Sequence, residues 1–192
     1  YACYPARVFT GPEQYTAYAE SRDGISWTRP MLDLVDFRGS RANNLVLQGG
    51  VFHNFSLFID THPDTAPEQR YKAVTGNPPI ALASADGIHW RKLRETPLLQ
   101  QDNPVFEWLG IAFGDNKDRP LGRALFESHN LAFWDSQIGE YVFYFRGWIT
   151  PPESPGTRLR TIFRSRSHDF FAWSEPESLE FNVPPSPLTQ FY

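Results

Sequence analysis

Short apolar runs separated by polar turns dominate the chain. "IALA" (80–83), "LAFW" (131–134), "YVFYF" (141–145) and "TIF" (161–163) are four residues or so each, rich in aromatic and β-branched side chains, and bounded by Gly, Pro, Asp or Ser. That pattern predicts half-buried strands. One turn recurs: "SRDGISW" (21–27), "SADGIHW" (84–90) and "SHDFFAW" (167–173) all read S-x-D-[G/F]-x-x-W. Each follows a strand-like run and leads into an extended polar stretch, so each is expected to join two antiparallel strands. Asp accepts hydrogen bonds from turn amides and Gly supplies positive φ. Phe170 replaces Gly in the third copy, which predicts a different backbone shape there. Each Trp is expected to pack between neighbouring sheets.

A second hairpin precedes each turn: "ARVFTGPEQYTAYA" (6–19), "SLFIDTHPDTAPEQRYKAV" (56–74) and "LAFWDSQIGEYVFYF" (131–145). Three units of four antiparallel strands follow, about 1–48, 49–100 and 126–182, with a loop at 101–125 and a tail at 183–192. Radially repeated four-stranded units make a β-propeller, against the alternative of a sandwich with a chance repeat. Three blades do not easily close a ring of the usual 4–8, so the chain reads as a segment of a larger propeller.

Composition narrows the function classes. Seventeen Pro and 13 Gly leave almost no window for a long helix, and aromatics reach 16%. Net charge is −4 with no basic stripe, which argues against nucleic acid. Only Lys72, Lys92 and Lys117 are lysines among 18 Lys and Arg residues; the Arg excess suits bidentate hydrogen bonding or a coding bias. Cys3 is the sole cysteine, so neither an intrachain disulfide nor a Cys-based zinc site is expected. No run of 18 apolar residues predicts a membrane span. No signal peptide is visible, and the chain starts at Tyr1. A soluble protein is expected, periplasmic or secreted rather than cytoplasmic.

"YAESRDGISWTRP", "LVDFRGSRANNLVL", "FHNFSLFID", "RYKAV", "LFESHNLAFWD" and "RSRSHDFFAWSEP" together resemble a bacterial group in the five-bladed glycosidase clan of invertases, levan-active enzymes and arabinanases. The group is similar to the N-terminal domain of glycosyl hydrolase family 32. The resemblance spans most of residues 15–176 and implies a five-bladed propeller. In that clan the innermost strand of each blade lines a channel, and substrate sits at its starting end. The turns carrying Asp23, Asp86 and Asp169 would face the other way and be structural. Asp60 and Asp135, in the first hairpin turns, would also lie on the wrong side.

The inner strands start at "FHNFS" (52–56) and "FESHN" (126–130). His53, Asn54, Ser128, His129 and Asn130 are candidates for sugar hydroxyls, or for hydrogen bonds between blades. Glu127 is the candidate general acid, because "ESHNL" resembles the "ECPDL" stretch that carries that acid in invertase-type enzymes; the structural reading pairs it with Arg146. The clan's Arg-Asp-Pro acid has no match in "VFHN", so the second carboxylate of a glycosidase pair is missing. Trp108 and Trp148 are candidate sugar platforms. Asn43 and Asn44, in "GSRANN", offer further hydrogen bonds. His129 is also a candidate to hold a central cation through water; no other cofactor is expected.

The expected function is a glycoside hydrolase acting on an oligosaccharide or polysaccharide. The main alternative is a non-catalytic propeller that binds glycans or proteins. A weaker one is a phosphorylase using Arg146, Arg158 and Arg160. The remaining blades of the propeller are the expected protein partner.

Overall fold

The computed structural model describes residues 2–3, 14–49, 54–76, 78–99, 126, 129–149 and 159–180; for Ala2, Cys3, Trp148, Ile149 and Leu159 it describes the backbone alone. The described residues are all-β, with one 3-10 turn at Pro67–Gln69 as their only helical element. No helix among them is long and apolar enough to cross a membrane.

Two four-stranded antiparallel sheets form the centre. One contains β6 (Ser56–Ile59), β7 (Tyr71–Thr75), β8 (Ile80–Ser84) and β9 (Arg91–Lys92), paired in chain order. The other contains β10 (Leu131–Asp135), β11 (Glu140–Ile149), β12 (Leu159–Ser167) and β13 (Glu177–Ser178), again in chain order. Both match the hairpin pattern of the sequence. Alternation explains which faces meet. On β11, Tyr141, Phe143 and Phe145 are buried, Tyr144 and Arg146 are half-exposed, and Val142 on the second face is also buried. Phe163 on β12 shares the buried face, opposite Phe145. Val74 and Ala81 of the second strand pair meet these rings, with Leu98, Leu99, Phe126 and Phe170 completing the core. Each fully buried Phe is worth about 1.5–3 kcal/mol. Gly147 lies under the Phe163 ring, and any Cβ there would collide with it.

Among the described residues, the N-terminal unit is not a four-stranded meander in chain order. β2 (Tyr15–Ala17) pairs with β1 (Ala2–Cys3) on one side and β5 (Leu45–Gln48) on the other. β3 (Glu20–Ser21) and β4 (Trp27–Thr28) form a separate hairpin. Pro30 accounts for the difference. It follows β4 closely and has no N–H to continue the ladder. The chain leaves and returns at Leu45, with Tyr18 N–H donating to Asn44 O at 2.8 Å.

All three repeated turns share one hydrogen-bond design. In the first, Asp23 Oδ1 accepts the N–H groups of Ile25 (2.8 Å) and Ser26 (2.7 Å), Ser21 donates to Asp23, and Trp27 Nε1 donates to Gly24 O at 3.1 Å. Asp86 repeats this with Ile88 and His89, and Trp90 with Gly87. Asp169 repeats it with Phe171 and Ala172, and Trp173 with Phe170. The expectation of a different third turn is corrected: Phe170 has φ 70°, beside 74° at Gly24 and 77° at Gly87. Its ring is fully buried against Phe58 and Tyr141, and that packing offsets the left-handed backbone. The Trp packing follows expectation in one copy. Trp173 lies against the core shared by the two sheets and meets Phe143. Trp90 meets Phe55, just before β6, and Trp27 is 53% exposed. Amide bonds from Ser26, Ile25 and the Ser21 hydroxyl hold the Asp23 carboxyl down at about 2. The stabilisation it gives is full above the unfolded carboxyl range, near pH 4, and is lost as pH falls through about 2.

Two polar contacts bracket the edge of the central seam. Arg94, just after β9, donates from Nη1 to Phe171 O at 3.0 Å in the third turn and stacks on the Phe171 ring. Asn54, before β6, donates to Phe126 O at 3.0 Å.

Phe170→Ala should lose about 3–5 kcal/mol in urea denaturation. Phe170→Gly should recover about 1 kcal/mol of that, because only Gly is at ease at this φ. A Gly variant no more stable than the Ala variant would contradict the backbone argument.

Candidate functional site

Two polar clusters lie at opposite ends of the adjacent first strands, β6 and β10. The first gathers where both strands begin. Asn54 Nδ2 (3.0 Å) and Asn130 Nδ2 (3.2 Å) donate to the same carbonyl, that of Phe126. Phe126 and Asn130 are fully buried, and His129 beside them is exposed. Asn54 adopts φ 58°, a left-handed conformation that Asn tolerates better than most residues. The Phe126 ring packs on Phe145 at 5.0 Å and Phe143 at 6.4 Å. The carbonyl so held belongs to the peptide that joins Phe126 to Glu127, and a peptide unit is planar.

Of the sequence candidates, Asn54, His129 and Asn130 meet at this end. Glu127, Ser128, His53 and Trp108 lie outside the described residues, as does Arg158. The Trp148 backbone pairs with Arg160 across β11 and β12. Arg146 is half-buried on β11, opposite Ile162. Asn43 and Asn44 work within their own loop. Asn43 donates to Val35 O (2.9 Å) and Ser40 O (3.1 Å) and accepts from Leu45 N–H; Asn44 donates to Tyr18 O at 2.5 Å. Among the described residues no group of three or more His, Cys, Asp or Glu side chains is arranged to hold a metal ion.

The second cluster lies where the first strands end. Asp60 directly follows β6, and its side chain is fully buried. Its Oδ2 accepts from Lys72 Nζ at 2.5 Å, Tyr141 Oη at 2.8 Å and Thr65 Oγ1 at 2.8 Å. Its Oδ1 accepts the His62 N–H at 3.0 Å. Lys72, with 7% of its side chain exposed, also donates to Tyr141 Oη at 3.0 Å. The ammonium sits 4.9 Å from the Tyr141 ring centre and 5.1 Å from that of Phe170. Burial pushes the Asp60 carboxyl up. The Lys72 ammonium, the His62 amide and the two hydroxyls outweigh that and hold it below the usual carboxylate range. Burial raises the Tyr141 phenol, and the carboxylate beside it raises it further, so Tyr141 stays a protonated donor. With four donors turned on it and its side chain buried, Asp60 acts as the anion that organises this cluster.

Sequence reasoning noticed Asp60 and missed its partners. A usable signal was present: a chain that uses Arg almost everywhere keeps Lys at position 72. A compact ammonium with three donors fits between one carboxylate and two rings, and a planar guanidinium does not.

No family model matches this chain, and neither a curated protein nor a solved structure matches it.

Lys72→Met should cost about 3–5 kcal/mol, since it leaves a buried carboxylate without its cation. Lys72→Arg should also destabilise despite keeping the charge. Both are read from urea midpoints. Wild-type stability in the Arg variant would refute the fit between ammonium and cluster.

Proposed function

We propose that the chain is part of a five-bladed β-propeller and that it is a glycoside hydrolase in which Glu127 protonates the leaving oxygen. The two central sheets support the architectural half. Each is a four-stranded meander in chain order, and the first strands of the two are neighbours, as in adjacent blades.

One observation carries the functional half. Asn54 and Asn130, from the starts of two different first strands, converge on the carbonyl that immediately precedes Glu127. The Asn54 and Asn130 amides are committed to that carbonyl, and the exposed His129 beside them is the group left to meet a sugar hydroxyl. A general acid at position 127 would protonate the glycosidic oxygen as the bond breaks. The carboxylate at the opposite strand end, Asp60, is already consumed by Lys72 and Tyr141.

A second reading is a non-catalytic glycan-binding propeller. It is favoured by the residues before β6, Val51-Phe52-His53-Asn54, which contain no carboxylate to serve as the partner of Glu127.

The test is a panel of aryl glycosides and oligosaccharides, followed by release of the leaving group. Wild-type protein should turn over at least one, and Glu127→Gln should lose about 10²–10⁴-fold in rate. Full activity in Glu127→Gln would remove the acid assignment. Equal binding of an immobilised glycan by both proteins, with turnover by neither, would establish the binding module instead.

A further inference from the structure

We propose that Asp60, Lys72 and Tyr141 form a latch between the two four-stranded sheets that acid releases. The ion pair itself belongs to one sheet: Asp60 follows β6 and Lys72 lies on β7. Only Tyr141, on β11, crosses from the other. The second sheet brings a hydroxyl for the carboxylate and two rings, Tyr141 and Phe170, for the ammonium. Docking thus dries a charge pair and returns two hydrogen bonds through the Tyr141 hydroxyl, one to each charge, and two ring faces. This is tolerable while the pair is neutral as a whole, because buried charges must be paired.

Protonating Asp60 breaks that balance. Lys72 would then be a buried cation against aromatic walls with no counter-charge. Among the described residues Asp60 is the only carboxylate in ion-pair contact with Lys72. The other groups around the cluster are Tyr141 from β11, His62 and Thr65 from the loop after Asp60, and Asp169 from the third turn, which acts on Tyr141. His62 Nδ1 accepts the Asp64 N–H at 3.0 Å, and its ring lies against Trp134 and Tyr141. None of these hydrogen-bonds Lys72 with a negative group. The least costly response is to admit water by parting the sheets. Asp60 is held below its ordinary range when folded, so the latch is whole above about pH 4 and weakens as pH falls below it.

This inference is independent of any carbohydrate activity. It is tested on the full chain by hydrogen exchange with mass readout from pH 6 to pH 2.5, rates corrected for intrinsic exchange. In the wild type, β6 and β11 should lose at least about tenfold in protection below pH 4, before the rest of the core opens. The charge-free pair Asp60→Leu with Lys72→Met should keep that protection level across the range, while the repeated turns, which contain their own acids, respond as in the wild type. Tyr141→Phe keeps the ion pair but removes the crossing hydroxyl, and should lower protection of β6 and β11 about tenfold at pH 7. Wild-type protection unchanged down to pH 2.5, the same acid step in the charge-free pair, or an unaltered Tyr141→Phe would each overturn the latch.

Discussion

The arrangement depends on two antiparallel sheets burying one aromatic face between them while a charged pair sits inside the same contact. Tyr141, Phe143, Phe145, Phe163 and Phe170 supply the apolar bulk. That bulk tolerates many packings of one sheet on another, since hydrophobic burial has no direction. Asp60, Lys72 and Tyr141 do have direction. Of the three donors on the Asp60 oxygen, Lys72 and Thr65 come from its own side and Tyr141 from the other sheet, so the Tyr141 hydroxyl reaches the pair in one relative position of the sheets. The rings supply the attraction and that crossing hydroxyl selects the geometry. Everything at the strand starts, including the shared Phe126 carbonyl, inherits its placement from that selection.

The sequence made the local structure readable because that structure rests on local chemistry. The Ser, the Asp and the Trp of each repeated turn find their hydrogen-bond partners within the same seven residues, so the pattern alone located three hairpins. The β6–β9 and β10–β13 sheets were legible from alternation and turn residues. Phe170 was misjudged because its backbone preference opposes the turn; the compensation lies in Phe58 and Tyr141, more than 25 positions away. The first unit was misjudged because Pro30 ends β4 early and the returning strand, Leu45–Gln48, is remote in sequence.

The candidate site divides in the same way. Asn54 and Asn130 were singled out as polar interruptions at strand starts, and they do meet. That their common partner is a main-chain carbonyl was not readable, because every residue has one. Asn43 and Asn44 looked equally available as side chains, and only their loop geometry shows the amides engaged with Val35, Ser40 and Tyr18. Asp60 looked like chemistry in isolation. Its meaning is set by Tyr141, 81 residues on.

The self-sufficiency of the three turns bears on how the chain reaches this state. A hairpin whose donors and acceptors are satisfied by near neighbours closes in about 1–10 μs and needs no help from the rest of the molecule. The hydrogen bonds that join the two central sheets span 69 to 81 residues, and each carries the loop-closure entropy of that span. The time needed to fold therefore falls almost wholly on one event, the meeting of two ready-made halves, and the charged residues at their junction are still hydrated until that moment.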